Sequence, residues 1–400
     1  MPSRVRTAAL ALCSVAALAS CSADVPAAPV SSGGPALTVE VIADGLDHPW
    51  DIGFLPDGQL LVTQRPGRLT ILTGSRPGAR AVQVEADLSE VAARGEGGLL
   101  GLVVHPDFAE SRLFTVCLNH TTNGPDGDPT DVRLVTWRLA TDSRSAVRVA
   151  DLLTGLPTAG GGRHSGCRPR IGADGALLVG TGDTARGSIP QDRNSLGGKV
   201  LRLDLLTGAA LPGNPFAEAA SPQQRRVLSY GHRNIQGLAV RPGTGEIYTA
   251  EHGPDRDDEV NRIIPGGNYG WDPSRGGATE DYDESVPMTD LKRFPDAIPA
   301  LWSTGAPTLA LAGADFVSGT GWGRYDGSLA VAALKGSRLT LLHLDRSGRV
   351  TGVEVPDELN ETFGRLRSVN RGPDGALYLT TDNGGGEDLV LRVSPTAAPR

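Results

Sequence analysis

Positive charge, helical patterning, long apolar runs and cysteine are all scarce in this chain, and each scarcity excludes something. Across 400 residues, 38 Lys and Arg face 46 Asp and Glu, a net charge of −8. Loss of a leader carrying Arg4 and Arg6 would remove two more positive charges. That balance argues against a nucleic-acid partner, whose phosphates require a basic surface. No long apolar heptads occur, so a coiled coil is excluded. Helix signals are weak: LSEVAARGEGG near Leu88 reads as a short helical turn, and QQRRVLSYG near Gln223 as a loop or one turn before Gly231. The apolar run from Thr7 to Ala19 follows a basic start and is too short for a comfortable membrane span, which makes it a secretory signal. It ends in Leu18-Ala19-Ser20-Cys21, similar to a bacterial lipobox in which Cys21 becomes the lipidated first residue.

These readings divide the chain into a signal peptide (1–20), a disordered Ala/Pro/Ser/Gly-rich tether (21–36) and a folded domain (37–400). The expected location is the outer face of the cytoplasmic membrane, with membrane contact only through the lipid on Cys21. Of four cysteines, Cys13 goes with the signal and Cys21 with the lipid. Cys117 and Cys167 remain, a pair that an oxidising compartment could join, although their sequence separation leaves their distance open.

What the chain has in abundance is glycine and proline, 53 and 29 residues, scattered as in a protein of many strands and turns. A turn followed by a short run of small and β-branched residues recurs six times, as LPDGQLLV, HPDFAESRLFTV, GADGALLV, PGTGEIYTA, RYDGSLAV and GPDGALYL. Asp-Gly or its equivalent feeding such a run is hairpin chemistry. Spacings of roughly 45 to 80 residues suit a radial repeat, so the expected fold is all-β, a six-bladed propeller of four-stranded antiparallel blades. A two-sheet sandwich would explain the strands but not the period. Propeller ligands sit over the central channel, so site residues should be scattered, one or two per repeat.

Several loops carry more chemistry than turns need. GGRHSGCR sets His164 between glycines, where the backbone can present a side chain to a cavity, although a lone His in such a loop is ordinarily a turn residue. SYGHRNIQG packs His232, Arg233 and Asn234 just before a strand. EHGPDRDDEVN concentrates oxygen donors beside a Gly-Pro kink, which suits a hard cation such as Ca²⁺ or simply a solvated acidic loop; the spacing is not that of an EF-hand. Lys335 in ALKGS follows a strand, and Arg365 and Arg367 alternate in GRLRSV, so both guanidinium groups would face one side of an extended segment. Such a cluster binds planar carboxylates well.

The ordered set GLDHPWDIGFLPDG, GEGGLLGLVVHPDF, GRHSG, GHRNIQG, EHGPDRDDEVN, GGNYGW, ALKG and GRLRSV, from Gly45 to about Val393, resembles the soluble PQQ-dependent glucose and aldose sugar dehydrogenases. The resemblance implies PQQ and Ca²⁺ as cofactors, an aldose oxidised at C1 to a lactone, and an external electron acceptor. By the same resemblance His164 is the general base, Asp183 orients it, and Arg233 stabilises charge beside the reactive quinone carbonyl. Glu96, Asn234, Thr304, Lys335, Arg365 and Arg367 contact PQQ. The carbonyls of Gly253 and Pro254 hold Ca²⁺, and Asp258 supports their loop. Three positions stand out against the family: Glu96 stands where Gln is common, Arg163 where the glucose dehydrogenases have an acidic residue although the aldose-type members are similar to this chain there, and Cys167 where Gly is typical. An ionised Glu96 would disfavour the reduced cofactor unless it were paired, for which Arg163 and Arg168 are the candidates. Two other readings use the same fold: a ligand-binding or adhesion propeller that has lost PQQ, and a Ca²⁺-dependent lactone hydrolase. The hydrolase gives no role to the Lys/Arg cluster.

Overall fold

The computed structural model describes residues 34–124, 127–277 and 282–396. The expected signal peptide, Cys21 and most of the tether lie outside the described residues. Strand β1 (Leu37–Leu46) precedes a first blade of β2 (Pro49–Phe54), β3 (Leu60–Gln64), β4 (Arg68–Leu72) and β5 (Ala81–Val84). The second blade is β6 (Leu99–Val104), β7 (Leu113–His120), β8 (Asp131–Leu139) and β9 (Ala146–Leu156). The third is β10 (Gly166–Ile171), β11 (Leu177–Thr181), β12 (Lys199–Leu203) and β13 (Val227–Tyr230). The fourth is β14 (Ile235–Val240), β15 (Ile247–Glu251), β16 (Glu259–Arg262) and β17 (Trp302–Ser303). The fifth is β18 (Leu311–Phe316), β19 (Leu329–Ala333), β20 (Arg338–Leu344) and β21 (Val350–Glu354). The sixth is β22 (Leu366–Arg371), β23 (Leu377–Thr381) and β24 (Asp388–Pro395), completed by β1 as its outermost strand.

Every blade is a four-stranded antiparallel sheet, as the repeat pattern predicts. The ring is closed by β1 pairing antiparallel with β24, so the two ends of the fold share one sheet. Of the two weak helix signals, the first is one turn closed by Val91 N–H to Leu88 O at 3.0 Å. The second is a single 3₁₀ turn, Gln224–Arg226, running into β13.

Six apolar clusters lie between neighbouring blades and hold the ring together. Near the axis the blades converge, and glycine makes that possible. A Cβ on Gly53 of β2 would lie 2.6 Å from Leu102 of β6, one on Gly101 2.4 Å from Pro169 of β10, and one on Gly237 2.4 Å from the Ala312 carbonyl of β18. Inner strands can touch only where no side chain intervenes.

The six repeated turns all join the first strand of a blade to the second. In three of them the Asp carboxylate caps the backbone two residues on: Asp57 takes Gln59 N–H at 3.1 Å, Asp174 takes Ala176 at 3.1 Å and Asp374 takes Ala376 at 3.2 Å. The following Gly58, Gly175 and Gly375 have φ of 85°, 81° and 76°, a left-handed conformation natural to glycine. These turns lie at one end of the propeller. The segments entering each first strand lie at the other, which we call the mouth.

Candidate active site

Each inner strand whose register is broken is broken at its mouth end, by a bulge. Trp50, Cys167, Gln236 and Arg367 are the extra, unpaired residues in β2, β10, β14 and β22. A bulge re-aims a side chain that a regular strand would commit to one face. Trp50, Gln236 and Arg367 accordingly line a cavity of about 230 Å³ on the axis, with Glu96, Ser165, Asn234, His252, Lys335 and Arg365. Arg365 and Arg367 share one side as expected, but not through strand alternation. Arg365 precedes β22 and Arg367 is its bulge residue, and the two reach one cavity by that route.

The cavity wall is cationic. Lys335 is exposed and forms no hydrogen bond or ion pair among the described residues. Arg367 is fixed by Asp382, with Nε to Oδ2 at 3.1 Å, and by Gln236 Oε1 at 3.2 Å. Burial lowers the Arg365 pKa, with the Asp382 charge opposing. Behind Trp50 lies a fully buried pair, Arg168 stacked 3.9 Å over the indole and Asp51 2.9 Å from its Nη1. Burial drives the Arg168 pKa down to about 10, with Asp51 opposing.

Glu96 brings the one carboxylate to this wall, and the structure corrects its expected pairing. Arg168 is committed to Asp51 and to the Gln236 carbonyl, and Arg163 to Glu284. Glu96 instead accepts the His164 backbone N–H at 3.0 Å and the Asn234 amide at 3.4 Å. It takes the part of a loop clamp between the third and fourth blades.

His164 and Arg233 flank the cavity, each one residue before a lining residue. His164 is 3 % exposed, with φ of 53°. Its Nδ1 lies 2.8 Å from Asp183 Oδ1, and its Nε2 accepts Arg163 Nε–H at 3.2 Å. A guanidinium only donates, so Nε2 carries the lone pair and Nδ1 the proton. Asp183, fully buried, also accepts Ala185 N–H and Trp271 Nε1–H, both at 2.8 Å, and the Tyr282 hydroxyl. Four donors keep this carboxylate in place and select the tautomer that leaves Nε2 basic. Arg233 donates to the His252 carbonyl at 2.7 Å and to Glu284, while its buried Nε has no partner among the described residues.

The loop between β15 and β16 carries the expected cation donors. Asp258, fully buried, accepts the N–H groups of Gly253 (2.8 Å), Leu309 (2.6 Å) and Ala310 (3.0 Å) and the Thr308 hydroxyl (2.8 Å). Its oxygens hold the loop and are not directed at an ion. Gly253 O accepts His252 Nδ1–H at 2.5 Å, and Pro254 O accepts no hydrogen bond among the described residues. Burial, aided by the Arg233 charge against that of Asp258, lowers the His252 pKa. Thr304 takes Asp258 N–H at 3.0 Å and belongs to this support, outside the residues that line the cavity. Among the described residues, no group of three or more His, Cys, Asp or Glu side chains converges as a metal site, so carbonyl oxygens are the donors on offer.

A disulfide joins Cys117 of β7 to Cys167, three residues beyond His164, and settles the pairing left open above. Sequence reasoning missed Trp50, Gln236, His252, Trp271, Tyr282 and Glu284 as site residues. The first four stand inside the quoted motifs, so the signal was present but unassigned. Tyr282 and Glu284 lie in an acidic loop whose path no local pattern fixes.

The site of this six-bladed propeller is thus a histidine–carboxylate dyad, a proton acceptor, beside a Lys/Arg-lined cavity at one mouth. The chain belongs to the glucose/sorbosone dehydrogenase family, whose sequence model matches residues 46–392. It is 32% identical over 373 residues to the aldose sugar dehydrogenase YliI of Escherichia coli, covering 90% of this chain and 93% of that one. It is 30% identical over 307 residues to quinoprotein glucose dehydrogenase B of Acinetobacter calcoaceticus, covering 68% and 61% of the two chains. The PQQ-bound structure of the aldose sugar dehydrogenase of Streptomyces coelicolor superposes with a TM-score of 0.71 at 30% identity, covering 90% of this chain and 99% of that one.

Proposed function

We propose that the protein oxidises aldose sugars at C1 to lactones with PQQ and Ca²⁺, passing the electrons to an external acceptor. The observation that carries this reading is the His164–Asp183 dyad standing at the edge of a cationic cavity. The cation-lined wall, with Lys335 and the Arg233 Nε unpartnered among the described residues, suits a planar molecule bearing several carboxylates. When bound, PQQ supplies the electron sink and Ca²⁺ the Lewis acid. Lys335, Arg365 and Arg367 would hold its carboxylates and carbonyls, Asn234 and Glu96 its edge, and Thr304 the loop beside it. The carbonyls of Gly253 and Pro254 would hold the cation.

The chain's own share of the reaction is positioning and proton transfer. His164 Nε2 accepts the proton of the C1 hydroxyl, which allows that carbon to release hydride. Asp183 keeps the Nδ1 proton in place and stabilises the imidazolium that forms. Arg233 supplies a fixed positive charge where negative charge develops. For Nε2 to act, the Arg163 Nε–H must yield it. The lipid anchor on Cys21 and the outer face of the cytoplasmic membrane complete the proposal.

The test is a titration of the purified protein with PQQ, with and without Ca²⁺, followed by addition of a panel of aldoses. Ca²⁺-dependent stoichiometric binding and sugar-dependent bleaching that His164→Ala abolishes are the expected results. No binding at micromolar PQQ overturns the reading and moves the propeller to the ligand-binding class.

A further inference from the structure

We propose that Glu284 determines substrate choice at this site, accepting hydrogen bonds from sugar hydroxyls beside the reacting carbon and favouring neutral and amino sugars over anionic ones. The inference rests on the dehydrogenase reading and deepens it. Arg163 donates from Nε to His164 Nε2 at 3.2 Å and from Nη2 to Glu284 Oε1 at 2.7 Å. One guanidinium, with a hydrogen bond on either side, therefore bridges the base nitrogen and the carboxylate. Arg233 donates to the same oxygen, Oε1. Oε2 accepts no hydrogen bond among the described residues, so one oxygen is pinned between two site arginines and the other is available.

The carboxylate is held there by a built network. Tyr282, two residues earlier, bonds Asp183 through its hydroxyl, packs 5.9 Å from Trp271 and lies 5.6 Å from the Arg163 guanidinium. On the other side of Glu284, Arg256 donates to the Ser285 carbonyl at 3.1 Å. Partial burial would raise the Glu284 pKa, but hydrogen bonds and charge from Arg233 and Arg163 outweigh it and hold the carboxyl below its ordinary value. An ionised carboxylate only accepts hydrogen bonds. It can serve a sugar hydroxyl or a sugar ammonium, and it repels a sugar carboxylate. The Arg163–Glu284 pair also gives a physical role to the arginine that stands where the glucose dehydrogenases have an acidic residue.

The test compares the full chain with Glu284→Gln. Glucose, 2-deoxyglucose, 3-deoxyglucose, glucosamine and glucuronate are measured by kcat/KM with PQQ and Ca²⁺, and by calorimetric affinity with and without PQQ. The expected result is a fall of about tenfold in the glucose-to-glucuronate ratio and loss of any glucosamine advantage, with PQQ affinity unchanged. A ratio unchanged within about twofold, or an equal loss for every sugar, overturns the proposal, because the residue would then only order Arg163 and Arg233. If no sugar reduces PQQ in the wild type, the dehydrogenase reading fails, and the affinities still judge Glu284. Equal discrimination in both proteins, or no sugar binding by either, overturns it.

Discussion

The two ends of the propeller differ in kind. At the end opposite the mouth, six links join first strands to second, three of them with the same Asp cap and left-handed Gly; the second blade's link adds one α-helical turn, Phe108–Ser111, and the fifth blade's a 3₁₀ segment, Thr320–Tyr325. At the mouth no two blades offer the same residues. The first gives Trp50, the third His164 and Cys167, the fourth Arg233 and Asn234, the sixth Arg365 and Arg367. Repetition marks the end where each blade solves only its own folding problem. Irregularity marks the end where several blades solve one chemical problem together.

That contrast can be broken by substitution at either end. The largest effect is expected at the dyad: His164→Ala should lower kcat about a thousandfold and Asp183→Asn about a hundredfold, read as steady-state rates with PQQ and Ca²⁺. A loss below tenfold for both would place the proton acceptor elsewhere. Next in size is the disulfide, which links the second and third blades across a sequence separation of 50. Replacing both cysteines by Ser should cost up to about 4 kcal/mol in urea denaturation.

A smaller, pH-dependent effect belongs to the mouth end of the fourth blade. Glu259 faces Glu251 across β15 and β16, with Asn261, Thr289 and Asp257 beside it and His232 bonded to Glu251. Burial, then the Glu251 charge, push the Glu259 carboxyl up to about 8. The folded protein then holds a proton that the unfolded chain releases near the ordinary carboxyl value, so stability contributed by this group falls as pH rises from about 4.5 to about 8. Denaturation midpoints at pH 5, 7 and 9 should show that slope, and Glu259→Gln should flatten it. The smallest effect tests the opposite end. Gly175→Ala places a Cβ in open space at φ 81° and should cost about 1 kcal/mol through backbone strain, with kcat unchanged. A change in kcat there would mean that the two ends are coupled.

The sequence by itself determined the architecture, because each blade repeats a local signal: Asp-Gly chemistry and a run of β-branched residues act within about ten positions. It also pointed to His164, Arg233, Lys335 and Arg367, whose Gly-flanked or alternating settings differ from ordinary turns. Only the tertiary structure decided how these residues meet. Ring closure through β1, the bulges that aim Trp50, Gln236 and Arg367 at the axis, and the partners of Glu96 all depend on contacts between blades far apart in the chain. The same holds for the acidic segment that brings Glu284 to Arg163 and Arg233, more than fifty positions away in sequence at the nearer of the two. Local patterns report the energies of neighbours in sequence. A cavity at a propeller mouth is set by neighbours in space.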